Sequence, residues 1–227
     1  MANYINVTLD TTAPATPTIV LDGGATYATD DLVDCTIGTV DGVTTGYQIK
    51  IWGAVDTAYD VNIQGTEGAS TWIAFSPTKQ IRISTGQGQK TIYLKIRDDV
   101  NNESSIVNDS ITYDTTRPVI TVTSPDVTRI SKVTGKNVVN FSFTSDVPFN
   151  QYIVKAVNST GASYDLGTTI PVTNGSVNTT GTGTFDTTTT PITVTINGTD
   201  LELASGGDGL KIIKVFVRST TTNLWSA

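Results

Sequence analysis

Histidine does not occur anywhere in this chain of 227 residues, and Cys35 is its one cysteine. Without imidazole there is no His-activated nucleophile, no imidazole general base and no use of the commonest metal ligand. A single thiol makes neither a disulfide within the chain nor a thiolate zinc site. Long apolar runs are missing too: none approaches the roughly 18 residues needed to cross a bilayer, so no membrane insertion is expected. The opening "MANYINVTLD" has neither a basic start nor an apolar h-region, so the chain is expected to be made in a cytoplasm and not exported by a signal peptide. Glutamate is scarce. Glu67, Glu103 and Glu202 fall in turns or weak strands with no common context, which leaves a glycosidase-type carboxylate pair little to stand on. Neither an enzyme nor a cofactor is expected.

Basic residues are few and dispersed. The 14 Lys and Arg against 21 Asp and Glu give a net charge of −7, so there is no electrostatic footprint for a polyanion and nucleic acid is not an expected partner. Thr, Asn, Ser and Gly are abundant instead, with Val, Ile and Tyr in short runs, the usage of half-buried strands. No convincing amphipathic helix is visible. In "GYQIKIWG" Tyr47, Ile49 and Ile51 share a face, and in "KTIYLKIR" Ile92, Leu94 and Ile96 oppose Lys95 and Arg97. Clusters such as "LDGGATYATDD" and "DDVNNESS" supply the turns.

The chain repeats itself at two offsets. "VTLDTTAP" at residues 7–14 returns as "ITYDTTRP" at 111–118, placing Asp10 against Asp114, 104 apart. "GQKTIYLKIRDDVNN" at 88–102 lies over "GLKIIKVFVRSTTTN" at 209–223, placing Arg97 against Arg218, 121 apart. Two domains of one kind follow. The offsets 121 and 104 differ by 17, so the second unit carries that many extra residues, for which "VNTTGTGTFDTTTTP" at 177–191 is the obvious place.

The phrases "SPTKQIRISTGQGQKTIYLKIRDDVNNES" and "DSITYDTTRPVITV" resemble the bacterial immunoglobulin-like repeats of cell-surface proteins and tailed-phage virion proteins. The resemblance is strong over residues 1–124 and weaker beyond, where Ser219 stands in place of Asp98. It implies a non-catalytic sandwich used as spacer, decoration or adhesion module. With an initiator Met and neither leader nor anchor, the virion branch fits better. The expected fold is all-β: two tandem Ig-like antiparallel β-sandwiches, over 13–114 and 115–227, preceded by an arm or donor strand at 1–12. Other virion proteins and copies of the chain itself are the expected partners, at a capsid or tail surface, with a host-surface glycan as the alternative.

In the first unit "IVNDSITYD" at 106–114 is the last strand of the sandwich. At the 121 offset its counterpart would lie past Ala227, so the second unit is expected to want its final strand, while "NVTLD" at 6–10 is a final strand with no domain before it. An incomplete sandwich leaves backbone groups and part of its core uncovered, an edge that strand addition satisfies. The expected donor residues are Ile5, Val7 and Leu9, and the expected acceptor edge is Ile213, Val215 and Val217. Val7 and Leu9 align with Ile111 and Tyr113, but Ile5 lies over Asp109. The other outcome is a frayed arm or extra edge strand on the first unit and a second unit closed by six strands.

Lesser candidates remain. Asp98, Asp99, Asn101 and Asn102 form an oxygen-rich turn, with Asp114 and Asp126 as further calcium ligands or, equally, an Asx-rich turn with solvated carboxylates. Trp52, Trp72, Tyr27, Tyr47 and Tyr59 could make a sugar-stacking platform; by phase Tyr47 reads as core, and Trp72 as packed on the "AF" of "TWIAF". Cys35 alternates with Val33 and Ile37 and reads as a small buried residue. The triplets Asn140-Phe141-Ser142 and Asn197-Gly198-Thr199 read as by-products of composition, not glycosylation sites.

Overall fold

A computed structural model of the chain describes residues 5–172 and 190–227. The chain divides into two compact units, Met1–Thr115 and Thr116–Ala227. In the first unit the strands are β1 (Thr18–Leu21), β2 (Tyr27–Ala28), β3 (Leu32–Gly38), β4 (Gln48–Gly53), β5 (Ile73–Ala74), β6 (Thr78–Arg82), β7 (Gly88–Arg97) and β8 (Val107–Tyr113). They form one sheet in the order β1-β3-β6 and another in the order β2-β8-β7-β4-β5. All neighbours are antiparallel except β2, which runs parallel to β8. The period of two explains the layers: Val33, Cys35 and Ile37 of β3 face Ile49, Ile51, Ile92, Leu94 and Ile96 of the other sheet in one aliphatic core.

The second unit contains β9 (Ile120–Val122), β10 (Val138–Ser145), β11 (Phe149–Val157), β12 (Thr168–Thr169), β13 (Ile192–Asn197), the helix α1 (Gly198–Ser205) and β14 (Ile212–Ser219). Its sheets run β9-β10-β13 and β12-β11-β14. Each unit is thus an immunoglobulin-like sandwich of two sheets, antiparallel but for the short edge strand β2. The second core is aromatic where the first is aliphatic: Phe143, Phe149 and Tyr152 are fully buried, with Phe143 5.2 Å from Tyr152 and 6.1 Å from Phe149 between ring centres. Such tilted ring pairs each add about 0.5–1.5 kcal/mol beyond their area.

The helix α1 is a correction to the all-strand expectation. Asn197 caps it, its side-chain oxygen accepting the Thr199 N–H at 3.0 Å, and Gly206 ends it. Its apolar stripe is only Leu201 and Ala204, which pack on the second core, while Leu203 is exposed. Two residues on one face are too few to show as a period. The helix also relocates part of the length difference between the units. The connection from β6 to β7 is residues 83–87, whereas that from β13 to β14 is residues 198–211 and holds α1. Of the stretch at 177–191 first suggested for the extra residues, all but Thr190 and Pro191 lies outside the described residues. Among the described residues no helix is long and apolar enough to cross a membrane.

Candidate functional site: the edge of strand β14

Strands β7 and β14 are the same strand twice. β7 starts on a glycine with positive φ, Gly88 at 113°, and the matching Gly209, at 127°, stands three residues before β14, in a backbone region that disfavours any side chain. Near each start a lysine turns back to the preceding connection. Lys90 Nζ donates to Ser84 Oγ and the Thr85 carbonyl, and Lys211 Nζ to the carbonyls of Ser205 and Gly206.

Each strand ends in the same turn. In the first unit Asp98 Oδ1 accepts the N–H groups of Val100 at 3.0 Å and Asn102 at 2.8 Å; in the second, Ser219 Oγ accepts those of Thr221 at 3.1 Å and Thr222 at 3.2 Å. Asn101 (φ 70°) and Asn223 (φ 58°) then reverse the chain in the left-handed region. Finally Ile96 N–H donates to Ser104 Oγ at 3.0 Å and receives the Ser104 N–H on its carbonyl at 2.8 Å, and Val217 makes the same two bonds with Ser226 at 3.2 and 2.9 Å. The asparagines and serines are 122 apart, not 121, so the second turn is one residue longer and the sequence match slips there.

After Ser104 the first chain runs on as β8, which pairs with β7 from Gly88↔Tyr113 to Leu94↔Val107. Beside β14 the described residues supply only the single bridge Arg218↔Trp225 and the Ser226 bonds. Its other side is occupied by β11, from Ser219↔Phe149 to Ile212↔Val157. Backbone groups along a strand alternate sides, so those of Ile213 and Val215 point the same way as those of Val217. Val217 meets Ser226; Ile213 and Val215 face an edge with no strand among the described residues. Their side chains point inward: Val215 and Val217 are buried in the second core and Ile213 packs against it. Ile213, at the uncovered end, is only half-buried, where Ile92 in β7 is wholly buried. Leu210, just before β14, is 96 % exposed.

The N-terminal candidates lie in no strand. Ile5, Val7 and Leu9 are 86 %, 80 % and 86 % exposed, and Asp10 is tied to the first unit by its carbonyl, which accepts the Asn102 side-chain N–H at 3.3 Å.

The other candidates are used structurally. Asp98 is 3 % exposed. Burial raises its carboxyl, but the Asn102 side chain and the backbone N–H groups of Asn102 and Val100 outweigh that and hold it below the ordinary range. Its oxygens are thus taken by N–H donors. Asp126 is held low likewise by the backbone and side chain of Asn140. Among the described residues no group of three or more His, Cys, Asp or Glu gathers to hold a metal ion.

The five aromatic residues form no platform. Trp52 is buried and stacks on Tyr93, and Tyr47 is half-buried with its hydroxyl donating to Asp41. Trp72 lies under Lys50 and Arg97, a pair of cation–π contacts. Arg82 covers Tyr59, and Tyr27 is exposed.

Two glutamates do share a context: Lys95 bridges Glu67 at 2.8 Å and Glu103 at 3.0 Å, which raises the Lys95 ammonium through those hydrogen bonds. The expectation of unrelated glutamates is corrected for this pair, and a cation between two carboxylates is an ion-pair network, not an acid and base. Burial pushes the Cys35 thiol up to about 12, with nearby Asp22 adding to it, so it stays protonated and inert. Asn140 sits in β10 with its side chain bonded to Asp126 and Thr195, and Asn197 caps α1, which gives both triplets structural uses.

No protein-family model and no curated protein matches the chain. Among solved structures it is similar to the fibronectin(III)-like modules of Clostridium thermocellum CbhA, with 10 % identity, 92 % of this chain and 90 % of that one covered, and a TM-score of 0.40. It is also similar to the chitinase ChiA74 from Bacillus thuringiensis, with 15 % identity, 92 % of this chain and 30 % of that one covered, and a TM-score of 0.31.

Proposed function

We propose that this chain is a non-catalytic structural component of a tailed-phage particle, a decoration of the capsid or tail surface that assembles by backbone pairing and apolar burial with neighbouring subunits. The observation that supports assembly is the edge of β14, which has no strand beside it among the described residues, whereas the matching β7 is paired with β8. The phage context is supported by the repeat phrases around residues 76–124 and their resemblance to virion Ig-like repeats. Catalysis is disfavoured by the missing histidine and by carboxylates that are already paired.

The test compares particles assembled with and without the gene. Removal is expected to strip surface density and lower particle heat resistance while adsorption to the host is unchanged; particles identical in both respects would overturn the reading. A second reading, binding of a host-surface glycan, is favoured by a cleft of about 370 Å3 lined by Trp225, Tyr164, Arg117 and Asp165. Its rings stack at 3.8 Å, and flat rings beside charged groups suit a sugar. Loss of adsorption with surface density intact would favour it.

A further inference from the structure

We infer that residues 5–10 of one copy add as a strand to the edge that residues 208–213 of a second copy present at the start of β14, taking the place that the end of β8 holds beside β7. This rests on the reading of the chain as an assembling component and names its partner, segment and register. Three independent observations meet here. The segment 7–14 repeats 111–118, which contains the end of the very strand that fills this edge in the first unit. It alternates exposed Ile5, Val7 and Leu9 with Asn6 and Thr8, the pattern of a strand with one face to bury, and it lies in no strand of its own chain. The acceptor matches β7 from Gly209, three residues before β14, to the serine that closes its turn, so Gly209 to Ile213 present the side that Gly88 to Ile92 present to β8.

The register follows from β8. Ile111 lies opposite Lys90, Ser110 opposite Thr91 and Asp109 opposite Ile92. Shifting by 104 on one strand and 121 on the other places Val7 opposite Lys211, Asn6 opposite Ile212 and Ile5 opposite Ile213. The one mismatch, Ile5 over Asp109, has a physical account. Asp109 Oδ2 accepts the Leu21 N–H at 2.8 Å, whereas the residue 104 beyond Leu21 is Pro125, which has no N–H to satisfy. An isoleucine there meets the half-buried Ile213 and extends the second core.

Opposite residues whose backbone groups face away from each other lie closest, about 4.5 Å between Cα atoms. Thr91 and Ser110 are such a pair, with hydroxyls 2.8 Å apart, so Asn6 and Ile212 suit a disulfide. The experiment mixes full-length N6C chain with full-length I212C chain under mild oxidation and separates the products without reductant; buried Cys35 stays out of the exchange. The expected product is a linked pair containing one copy of each. A mixture that stays unlinked overturns the inference, and so does a doubly substituted chain that closes only on itself as a monomer.

The second measurement is sedimentation of the V7D/L9D chain. Both side chains are exposed in the lone molecule, so folding is untouched, and the concentration-dependent species of the wild type is expected to weaken at least tenfold; unchanged association overturns the inference. The two levels fail separately. Linked copies with no trace of the chain on particles would sink the virion reading alone, and surface density without linkage would sink strand exchange alone.

Discussion

Strands β7 and β14 share a glycine at or shortly before their start, a lysine tether, a capped turn and a closing serine, yet β7 has a strand on each side and β14, among the described residues, has β11 alone along its length. An edge strand is usually blunted by proline, a bulge or inward charge. β14 carries "IIKVFVRS" with none of these and reads as a strand built for the middle of a sheet. The cores differ in a matching way. The first unit fills its interior with Ile, Leu and Val from eight strands, while the second has six among the described residues and packs Phe143, Phe149 and Tyr152 at its centre. The aromatic rings supply volume at the centre of the second core, with Val and Ile around them.

The comparison is broken most readily at those centres. Phe143→Ala is expected to cost about 3–5 kcal/mol and Leu94→Ala about 2–5 kcal/mol, since both side chains are fully buried and each truncation leaves a cavity. Calorimetry should show each loss in one transition only, the first variant lowering the melt of the second unit and the second that of the first. A joint shift of both transitions would show that the units do not hold their cores separately.

The matched turns sharpen it next. Asp98→Ala strands part-buried N–H donors that now meet a carboxylate, on the order of 2 kcal/mol, and Ser219→Ala, at the same place in the other unit, costs about 1 kcal/mol because its acceptor is neutral. Their pH dependence differs in kind. The Asp98 carboxyl is held below the usual aspartate value near 3.9, so its contribution is complete above that value and is lost as pH falls through the lowered one. The hydroxyl of Ser219 does not titrate. Acid melts should therefore show a gap between wild type and Asp98→Ala that closes below about pH 4, and a gap for Ser219→Ala that stays constant. Asp60, whose carboxyl burial raises but Lys79 and Asn62 lower further, acts in the same direction in the first unit and cancels in the difference. One step smaller, Ser104→Ala and Ser226→Ala each leave a buried backbone N–H unmet, about 1–2 kcal/mol. Equal losses would support the equivalence of the two turns; a silent Ser226→Ala would mean that the second turn is held by something else.

What could be read from the residues alone was whatever rests on a period of two or on repetition. The inward set Ile49, Ile51, Ile92, Leu94 and Ile96 was legible because alternation in a strand is enforced by the pleat. The likeness of β7 and β14 was legible because one phrase recurs. The Lys95 bridge was not, since Glu67 and Glu103 come from different loops and no local pattern links them. Nor was the role of Trp72, whose neighbours Lys50 and Arg97 come from two paired strands. The serine pair that closes each turn was hidden by the one-residue slip in the second copy, which sets Ser226 against the residue after Ser104. Spacing at 122 within "STTTNLWS" was the signal that could have found it.

The smallest expected effect concerns the element that only the second unit has. α1 is eight residues long and presents two apolar side chains to the core, so packing holds it weakly and its ends matter more than usual. Asn197 supplies the N-cap, and Lys211 meets the last carbonyls, a cation at the negative end of the helix dipole. Asn197→Ala is expected to cost about 1 kcal/mol and Asn197→Asp almost nothing, because the carboxylate accepts the same Thr199 N–H and faces the positive end. The measurement is the second unit's denaturation midpoint with the first unit's as internal control. Since Asn197 also ends β13, paired with Val138 at the rim of its sheet, a loss well above 2 kcal/mol would show that this cap holds the sheet edge and not just the helix.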